Sequence, residues 1–273
     1  MSQPHPHHRQ SLKIFRLIIV ITSVSLLSAL FFCTSIGRAT SQNRGTSKYT
    51  EITGLPAVPS YTVKVSNKPI AIDGQLSENI WRTATPITLQ FPWEEQTGSK
   101  QRTTVKLLRD QQYLYVGYEC ADTDITATHE KRDDPVYKDD CVEIFLKPSD
   151  KTDHYIGLEM NARGVLFDYY YAYPEKNDYS FNLAGVQLKT ALRGSLNNDN
   201  DQDQGWSLEV AIPWQSLNKL AEQLPPAKTT WRAQINRWDG IEAKGRRLSM
   251  WCPSGLKKPN PHNPERFGIL TFK

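Results

Sequence analysis

The chain has 273 residues, of which 38% are hydrophobic, and its formal net charge is +4. This length accommodates one sizeable domain with a single core. The basic residues are dispersed and argue against a nucleic-acid groove or a polybasic membrane patch. Seven Trp and twelve Tyr provide more large amphipathic rings than a core requires.

Residues 1–39 have the layout of a secretory signal peptide. A polar, cationic start precedes the apolar run 17–32, and Gly37-Arg38-Ala39 offers a small-x-small cleavage pattern. The apolar stretch is just long enough to span a bilayer if it continues to residue 36, so an uncleaved N-terminal membrane anchor is the alternative. Both alternatives predict export of the folded part to the periplasm, the cell surface or the medium. Contact with a membrane is expected only through this segment.

Residues 40–60 are rich in Ser, Thr, Gly and Pro and lack a sustained period, which predicts a flexible linker. Short alternating segments then fill residues 61–273. The predicted strands are 61–66, 87–90, 102–109, 113–121, 141–146, 154–161, 165–171, 186–193, 205–212, 230–239, 248–252 and 266–272. Many short strands with almost no amphipathic helix predict an all-β domain, an antiparallel two-sheet β-sandwich of jelly-roll type.

A charged, turn-prone loop runs directly into the strand 141–146. The strand alternates, with Val142 on its apolar face and Glu143 on the other face, so the loop residue Tyr137 is expected beside Glu143. An aromatic ring next to fixed hydrogen-bond acceptors suits a sugar, which has apolar C–H faces and a rim of hydroxyls. The structural alternative is an Asp-rich turn in front of a core strand.

No metal or cofactor is predicted. Cys120 shares the parity of core-facing residues, whereas Cys141 shares that of Glu143, so a disulfide between the two is not favoured. There is no C-x-x-C or His/Cys cluster for zinc. Carboxylates in the polar loop 197–204 could hold calcium, but their spacing does not match an EF-hand loop.

Five ordered segments carry a family resemblance. They are Ile72-Asp73-Gly74 with Trp81, Tyr113-Leu114-Tyr115-Val116, Asp140-Cys141-Val142-Glu143-Ile144-Phe145, Leu208-Glu209-Val210-Ala211-Ile212-Pro213-Trp214, and Pro264-Glu265-Arg266-Phe267-Gly268. In this order they resemble the family 9 carbohydrate-binding modules attached to bacterial glycanases, and they cover nearly all of residues 61–273. The resemblance implies a β-sandwich that binds an oligo- or polysaccharide and performs no chemistry.

The resemblance also implies site residues. In the family's well-known binders two aromatic rings sandwich a sugar, and polar residues at the strand ends hold its hydroxyls. The first ring position corresponds to Tyr137, the strand carboxylate to Glu143, and the amide on a late strand to Asn236.

Two positions depart from the family pattern. The second ring position falls near His262, so the clamp aromatic is not present there, and an expected arginine falls near Ile156. Trp251 or Trp238 could supply a replacement ring, although both are large apolar residues of a kind more often found in a core. Parity does not decide between them.

These observations predict an exported, non-catalytic carbohydrate-binding protein, with polysaccharide breakdown as the process in which it would act. One alternative is a glycoside hydrolase that uses Asp139, Asp140 or Glu143, although Asp139 and Asp140 make a poor pair because adjacent strand residues point to opposite faces. Another is a haem-binding sandwich domain. The ligands available for haem are Met160, Met250, His154 and His262. A scaffold domain without a small ligand is the fourth possibility.

Overall fold

Alternating segments become twelve β-strands in the computed structural model, which describes residues 51–172, 176–221 and 223–273. The strands are β1 Ser60–Val65, β2 Ile87–Thr88, β3 Thr103–Arg109, β4 Tyr113–Cys120, β5 Cys141–Lys147, β6 Tyr155–Asn161, β7 Leu166–Tyr171, β8 Gln187–Arg193, β9 Gly205–Pro213, β10 Thr229–Asp239, β11 Arg247–Met250 and β12 Gly268–Phe272. The helical turns are all 3-10: Asn79–Thr83, Val136–Lys138, Trp214–Leu217, Glu242–Lys244 and Pro264–Arg266. The all-β prediction is confirmed over these ranges.

One continuous, curled path of hydrogen-bonded strands replaces two separate sheets. Its order is β7-β6-β5-β10-β12-β1-β3-β4-β9-β8, with β11 on β10 and β2 on β3. Strand β1 connects the two halves because its residues 60–63 pair with β12 and its residues 64–65 pair with β3. Both pairings are parallel, whereas the other strand pairs are antiparallel. The predicted separation into two antiparallel sheets is therefore not confirmed.

The two halves of the curled sheet share one core. Val142 and Ile144 of β5 are fully buried in the same apolar cluster as Val116 of β4, as the alternation predicts. The hydroxyl of Tyr118, also buried in this cluster, donates a 3.1 Å hydrogen bond to the backbone carbonyl of Glu143. The core thus fixes which residues of β5 point outward.

A buried arginine ties β10 to the end of β4. The Arg237 guanidinium is fully buried and donates to Asp122 at 2.8 Å, to Asp239 at 2.7 Å and to the carbonyl of Ala121 at 2.7 Å. Asp140 lies 3.8 Å from the same guanidinium, and burial raises the pKa of this carboxyl to about 8. Arg247 also donates to Asp239 at 2.8 Å, so the two guanidinium groups supply the positive charge that the three buried carboxyl groups require.

The polar loop 197–204 uses its carboxylates within the protein. Asp203 is buried and accepts hydrogen bonds from the backbone nitrogens of Ile125 at 2.7 Å and Ser195 at 2.8 Å. Lys244 Nζ donates to Asp199 at 2.7 Å. Part of this polar loop is therefore packed against the domain, where the buried carboxylate of Asp203 satisfies two backbone N–H donors.

The predicted signal or anchor 1–39 and residues 40–50 of the predicted linker lie outside the described residues. The rest of that linker contacts the domain: the backbone nitrogens of Glu51 and Ile52 both donate to the carbonyl of Gly255 at 2.9 Å, and Arg266 donates to the carbonyl of Pro56 at 2.8 Å. Within the described ranges, no helix has the length and apolar character that a bilayer crossing requires.

Candidate functional site

A cavity of about 820 Å³ lies over the outward face of β5, β6, β7 and β10. The residues that alternate with the core positions of these strands form its floor and part of one side, and four loops and residue 51 complete its sides. The lining residues are Glu51, Tyr137, Glu143, Glu159, Phe167, Tyr169, Tyr171, Tyr179, Trp238, Arg246, Leu256, Pro259, Asn260, Pro261 and His262. Four of the six residues predicted for the site, Tyr137, Glu143, Trp238 and His262, are among them.

The floor of the cavity contains a row of side chains across four strands. The strand register places Asn236 of β10 opposite Glu143 of β5, Glu143 opposite Glu159 of β6, and Glu159 opposite Phe167 of β7. Directly opposed residues share one face of a sheet. Asn236 Nδ2 donates a 3.1 Å hydrogen bond to Glu143 Oε2. Asn236 is fully buried at the β10 end of this row, where it holds Glu143 but does not itself line the cavity.

Both floor carboxyl groups are shifted toward their neutral form. Burial raises the pKa of Glu143 to about 7, although the charge of Arg246 and the hydrogen bond from Asn236 oppose the shift. Burial raises the pKa of Glu159 well above its ordinary value, and the charge of Glu143 adds to this. Two acidic side chains, only 1% and 4% exposed, therefore face one cavity.

One side of the cavity is a wall of aromatic rings. Tyr137 is 36% exposed, and its ring centre lies 6.3 Å from that of Phe167. Phe167 stacks on Tyr179 with 6.2 Å between ring centres and an interplanar angle of 18°. Tyr169 of β7 completes the wall, and the absence of a side chain at Gly157 of β6 leaves the space that its phenol ring occupies. The wall presents apolar ring faces to the cavity.

His262 forms the opposite side of the cavity as part of a stack. Its imidazole lies parallel to Phe145, at 5.1 Å and 12°, and to Tyr171, at 5.8 Å and 8°. A 2.6 Å hydrogen bond joins its Nδ1 to the hydroxyl of Tyr155. Burial lowers the pKa of His262 to about 4, so the ring is neutral near pH 7. The position at which the family has its second aromatic ring is therefore occupied here by the uncharged, planar imidazole of His262.

The two tryptophans considered as replacement rings have different surroundings. Trp238 lines the cavity, and the guanidinium of Arg246 lies 3.8 Å above its ring centre, which covers one ring face. Trp251 is 6% exposed and belongs to the main core, where it occupies the space beside Gly268. Trp251 does not line the cavity, because its ring is packed in the main core.

A model of the family described as "Carbohydrate family 9 binding domain-like" matches residues 72–273. The chain belongs to this family. The resemblance inferred from the ordered segments is confirmed. The comparison with curated proteins finds no match.

Solved structures share the fold of this family 9 domain. A Bacteroides uniformis protein, described as a candidate carbohydrate-binding protein, is 20% identical with a TM-score of 0.69, and the match covers 80% of this chain and 100% of that one. A family 9 carbohydrate-binding module from Caldicellulosiruptor kristjanssonii in complex with cellotriose is 18% identical with a TM-score of 0.56, covering 78% and 93%. A module from the same organism in complex with glucose is 19% identical with a TM-score of 0.53, covering 78% and 95%.

Sequence reasoning missed eleven of the fifteen lining residues of this family 9 domain. Six of them are Glu159, Phe167, Tyr169, Tyr171, Tyr179 and Arg246, and the other five are Glu51, Leu256, Pro259, Asn260 and Pro261. Alternation in β6 and β7 already assigns the first four to the face opposite the core, so that signal was available. The alignment of Glu159 with Glu143 depends on strand register, and the position of Arg246 beside the cavity depends on the path of the loop between β10 and β11. A local sequence pattern determines neither the register nor the loop path.

The residues that supported the alternative functions do not converge in this family 9 domain. Asp139 accepts hydrogen bonds from Asn161 and His129, and Asp140 accepts from the backbone nitrogen of Gly240 at 2.7 Å, so neither lines the cavity. The four potential haem ligands have separate surroundings. Met160 is in the main core, Met250 is in a second apolar cluster, His154 contacts Tyr170, and His262 stacks on Phe145. The described cysteines, Cys120, Cys141 and Cys252, are buried free thiols.

Proposed function

We propose that the protein is an exported, non-catalytic carbohydrate-binding module that holds a glycan or a sugar end in the cavity over β5, β6, β7 and β10. The observation that carries the proposal is the polar floor between two ring-bearing sides. Asn236, Glu143 and Glu159 follow one another across three strands, with Tyr137 on one side and His262 on the other. Membership of the family supports the same ligand class.

The sugar ring lies between the two sides of the cavity. Its apolar C–H faces pack on the wall that contains Tyr137 and on the imidazole of His262, while its hydroxyls reach the floor. The carboxyl oxygen of Glu143 that does not bond to Asn236 accepts from a hydroxyl. Each such hydrogen bond contributes only about 1 kcal/mol net, so the affinity for a single sugar is modest.

Glucose and cello-oligosaccharides are the first ligands to test, because the two Caldicellulosiruptor kristjanssonii modules with this fold are in complex with cellotriose and with glucose. The cavity has the size of a site for a small ligand. A role beside polysaccharide-degrading enzymes follows if the ligand is a plant or microbial glucan.

The binding test uses the full-length chain on a glycan array and in titration calorimetry. We expect Tyr137→Ala to weaken binding about tenfold, which corresponds to about 1.4 kcal/mol, through the loss of a ring face. Tyr113→Ala is the matched control, because Tyr113 does not line the cavity. Absence of binding to every glycan on the array by the folded wild-type chain would overturn the proposal.

Export is tested separately by fractionating cells that express the full chain. The segment 1–39 predicts recovery of the protein outside the cytoplasm, with a mass that reports whether the segment has been removed. Recovery of folded protein only from the cytoplasmic fraction contradicts the export part of the proposal. That result leaves the binding part unchanged.

A further inference from the structure

The two floor carboxyl groups have unequal surroundings, although they oppose each other directly. Glu143 Oε2 accepts from Asn236 Nδ2 at 3.1 Å. Glu159 Oε2 is buried and has no hydrogen-bond partner in the described part of the chain. The hydroxyl of Tyr169 lies beside the Glu159 carboxyl group and opposes the rise in its pKa, although the two groups do not reach standard hydrogen-bond geometry. An ionised oxygen that is buried and unpaired is costly, whereas one that accepts a hydrogen bond is tolerated.

The groups around the pair include one cation. Besides the two glutamates, the titratable and charged side chains on the surrounding elements are Cys141 of β5, Tyr169 and Tyr171 of β7, Arg246 of the β10–β11 loop, and Glu51, Tyr137, Tyr179 and His262 at the sides. Arg246 thus provides the positive charge near the floor, and this charge is enough to balance one carboxylate. Two negative charges on directly opposed residues would repel each other. The second carboxyl group is therefore more stable in its protonated, neutral form.

We propose that Glu143 and Glu159 bind the ligand as an acceptor and donor pair that holds one proton, with Glu143 ionised and Glu159 protonated. Glu143 accepts from one sugar hydroxyl, and Glu159 donates its proton to a neighbouring ligand oxygen. This inference rests on the proposed carbohydrate function and deepens it by adding Glu159 as a specificity-determining residue. The ligand it selects is an uncharged saccharide with adjacent hydroxyl groups, because such a ligand supplies one donor and one acceptor.

The raised pKa values agree with this assignment. Burial raises the pKa of Glu143 to about 7, with Arg246 and Asn236 opposing. Burial also raises the pKa of Glu159 well above its ordinary value, and the charge of Glu143 adds to this rise. Binding is therefore expected to strengthen as the pH rises through about 7, where Glu143 becomes ionised, and to level off above it.

The first test needs no ligand. Carboxyl carbon NMR titrations of the full-length chain, assigned with Glu143→Gln and Glu159→Gln, follow each group separately. We expect Glu143→Gln to lower the midpoint of Glu159 by about one unit or more, because the charge that raises it is removed. We expect Glu159→Gln to leave the midpoint of Glu143 near 7, because a protonated neighbour exerts little charge. The exposed Glu119→Gln serves as the control.

The second test measures cellotriose affinity by calorimetry between pH 5 and pH 8. We expect the wild-type affinity to rise about tenfold over this range and Glu143→Gln to abolish the rise. Glu159→Gln retains an N–H donor and is expected to stay within about threefold of wild type at pH 8. A larger loss in this variant would show that an ionised Glu159 is required and would overturn the pair.

The two tests separate this inference from the proposed function. Cellotriose binding by a protein whose two glutamates titrate independently near the ordinary value of about 4.3 overturns the pair and leaves the carbohydrate function standing. The expected coupled titration in a protein that binds no saccharide at any pH overturns the carbohydrate function, and the ligand role of Glu159 with it.

Discussion

Glu209 and Trp81, which are 128 residues apart, are joined by a 2.8 Å hydrogen bond from the indole nitrogen to Glu209 Oε1. The second oxygen of Glu209 accepts from the backbone nitrogens of Gly74 at 2.9 Å and Asp73 at 3.0 Å. Both Glu209 and Trp81 are almost fully buried. Two of the segments that carry the family resemblance are thus in direct contact, because the carboxylate of β9 satisfies the donors of the Asp73-Gly74 turn.

This contact predicts a stability effect without a binding effect. Glu209→Ala leaves three donors without their acceptor and is expected to lower the free energy of unfolding by about 3 kcal/mol. Urea unfolding measures the change, and Glu119→Ala, an exposed position on β4, is expected to change it by less than about 0.5 kcal/mol. Equal effects of the two substitutions would show that the buried carboxylate is not a structural anchor.

The guanidinium of Arg237 is the second anchor. Arg237→Met removes the cation among Asp122, Asp140 and Asp239 and is expected to destabilise the fold by about 3–5 kcal/mol at pH 8. The deficit should shrink toward pH 5, because the stranded carboxyl groups can then take up protons. Chemical unfolding at both pH values measures this, with the exposed Arg102→Met as control. A deficit that does not depend on pH would contradict the electrostatic explanation.

His262 predicts a loss of stability in acid. Its pKa is lowered from 6.5 to about 4 by burial, so the unfolded chain binds more protons than the folded chain between these values. The contribution of the neutral ring is therefore complete above pH 6.5 and is lost as the pH falls toward 4. Thermal unfolding of wild type and His262→Asn should give curves whose difference narrows over this window. Curves that stay parallel from pH 7 to pH 4 would refute the assignment.

Substitutions at two glycines on different strands, Gly157 and Gly268, should perturb the cavity wall and the core separately. A methyl group at Gly157 would overlap the phenol end of Tyr169 in the cavity wall, whereas a methyl group at Gly268 would meet the ring of Trp251 in the core. Gly157→Ala is expected to weaken cellotriose binding several-fold with little loss of stability, because the end of one side chain can move away.

Gly268→Ala is the matched substitution on the other side of the sheet. We expect it to cost about 1–3 kcal/mol through overpacking against Trp251, with unchanged affinity in the folded fraction. Calorimetry and urea unfolding of both variants measure the contrast. A binding defect in Gly268→Ala would mean that Trp251 influences the cavity after all.

The strand β5 shows how far local patterns reach. Its period-2 alternation correctly assigns Val142 and Ile144 to the core and Glu143 to the opposite face. The loop before it correctly places Tyr137 beside the same face, since few residues separate the two. Alternation is a property of neighbouring residues, so it can be read without knowing the partners of a strand.

Local patterns do not predict which strands pair with each other. The use of both edges of β1, by β12 and by β3, converts the expected pair of sheets into one curled sheet, and no local feature of Ser60–Val65 specifies it. The same limit applies to Trp238 and Trp251, which are both late-strand tryptophans. Only the fold shows that Trp238 lines the cavity while Trp251 fills the core.

The amino-acid sequence by itself determined the strands, their buried faces, the family and four of the residues that line the cavity, because each depends on residues close together in the chain or on ordered segments. Tertiary structure alone decided that Glu159 opposes Glu143 and that Arg246 covers Trp238. These relationships follow from strand register and from the path of a loop. Both are set by the packing of the whole domain, which minimises buried, unpaired polar groups across distant parts of the chain.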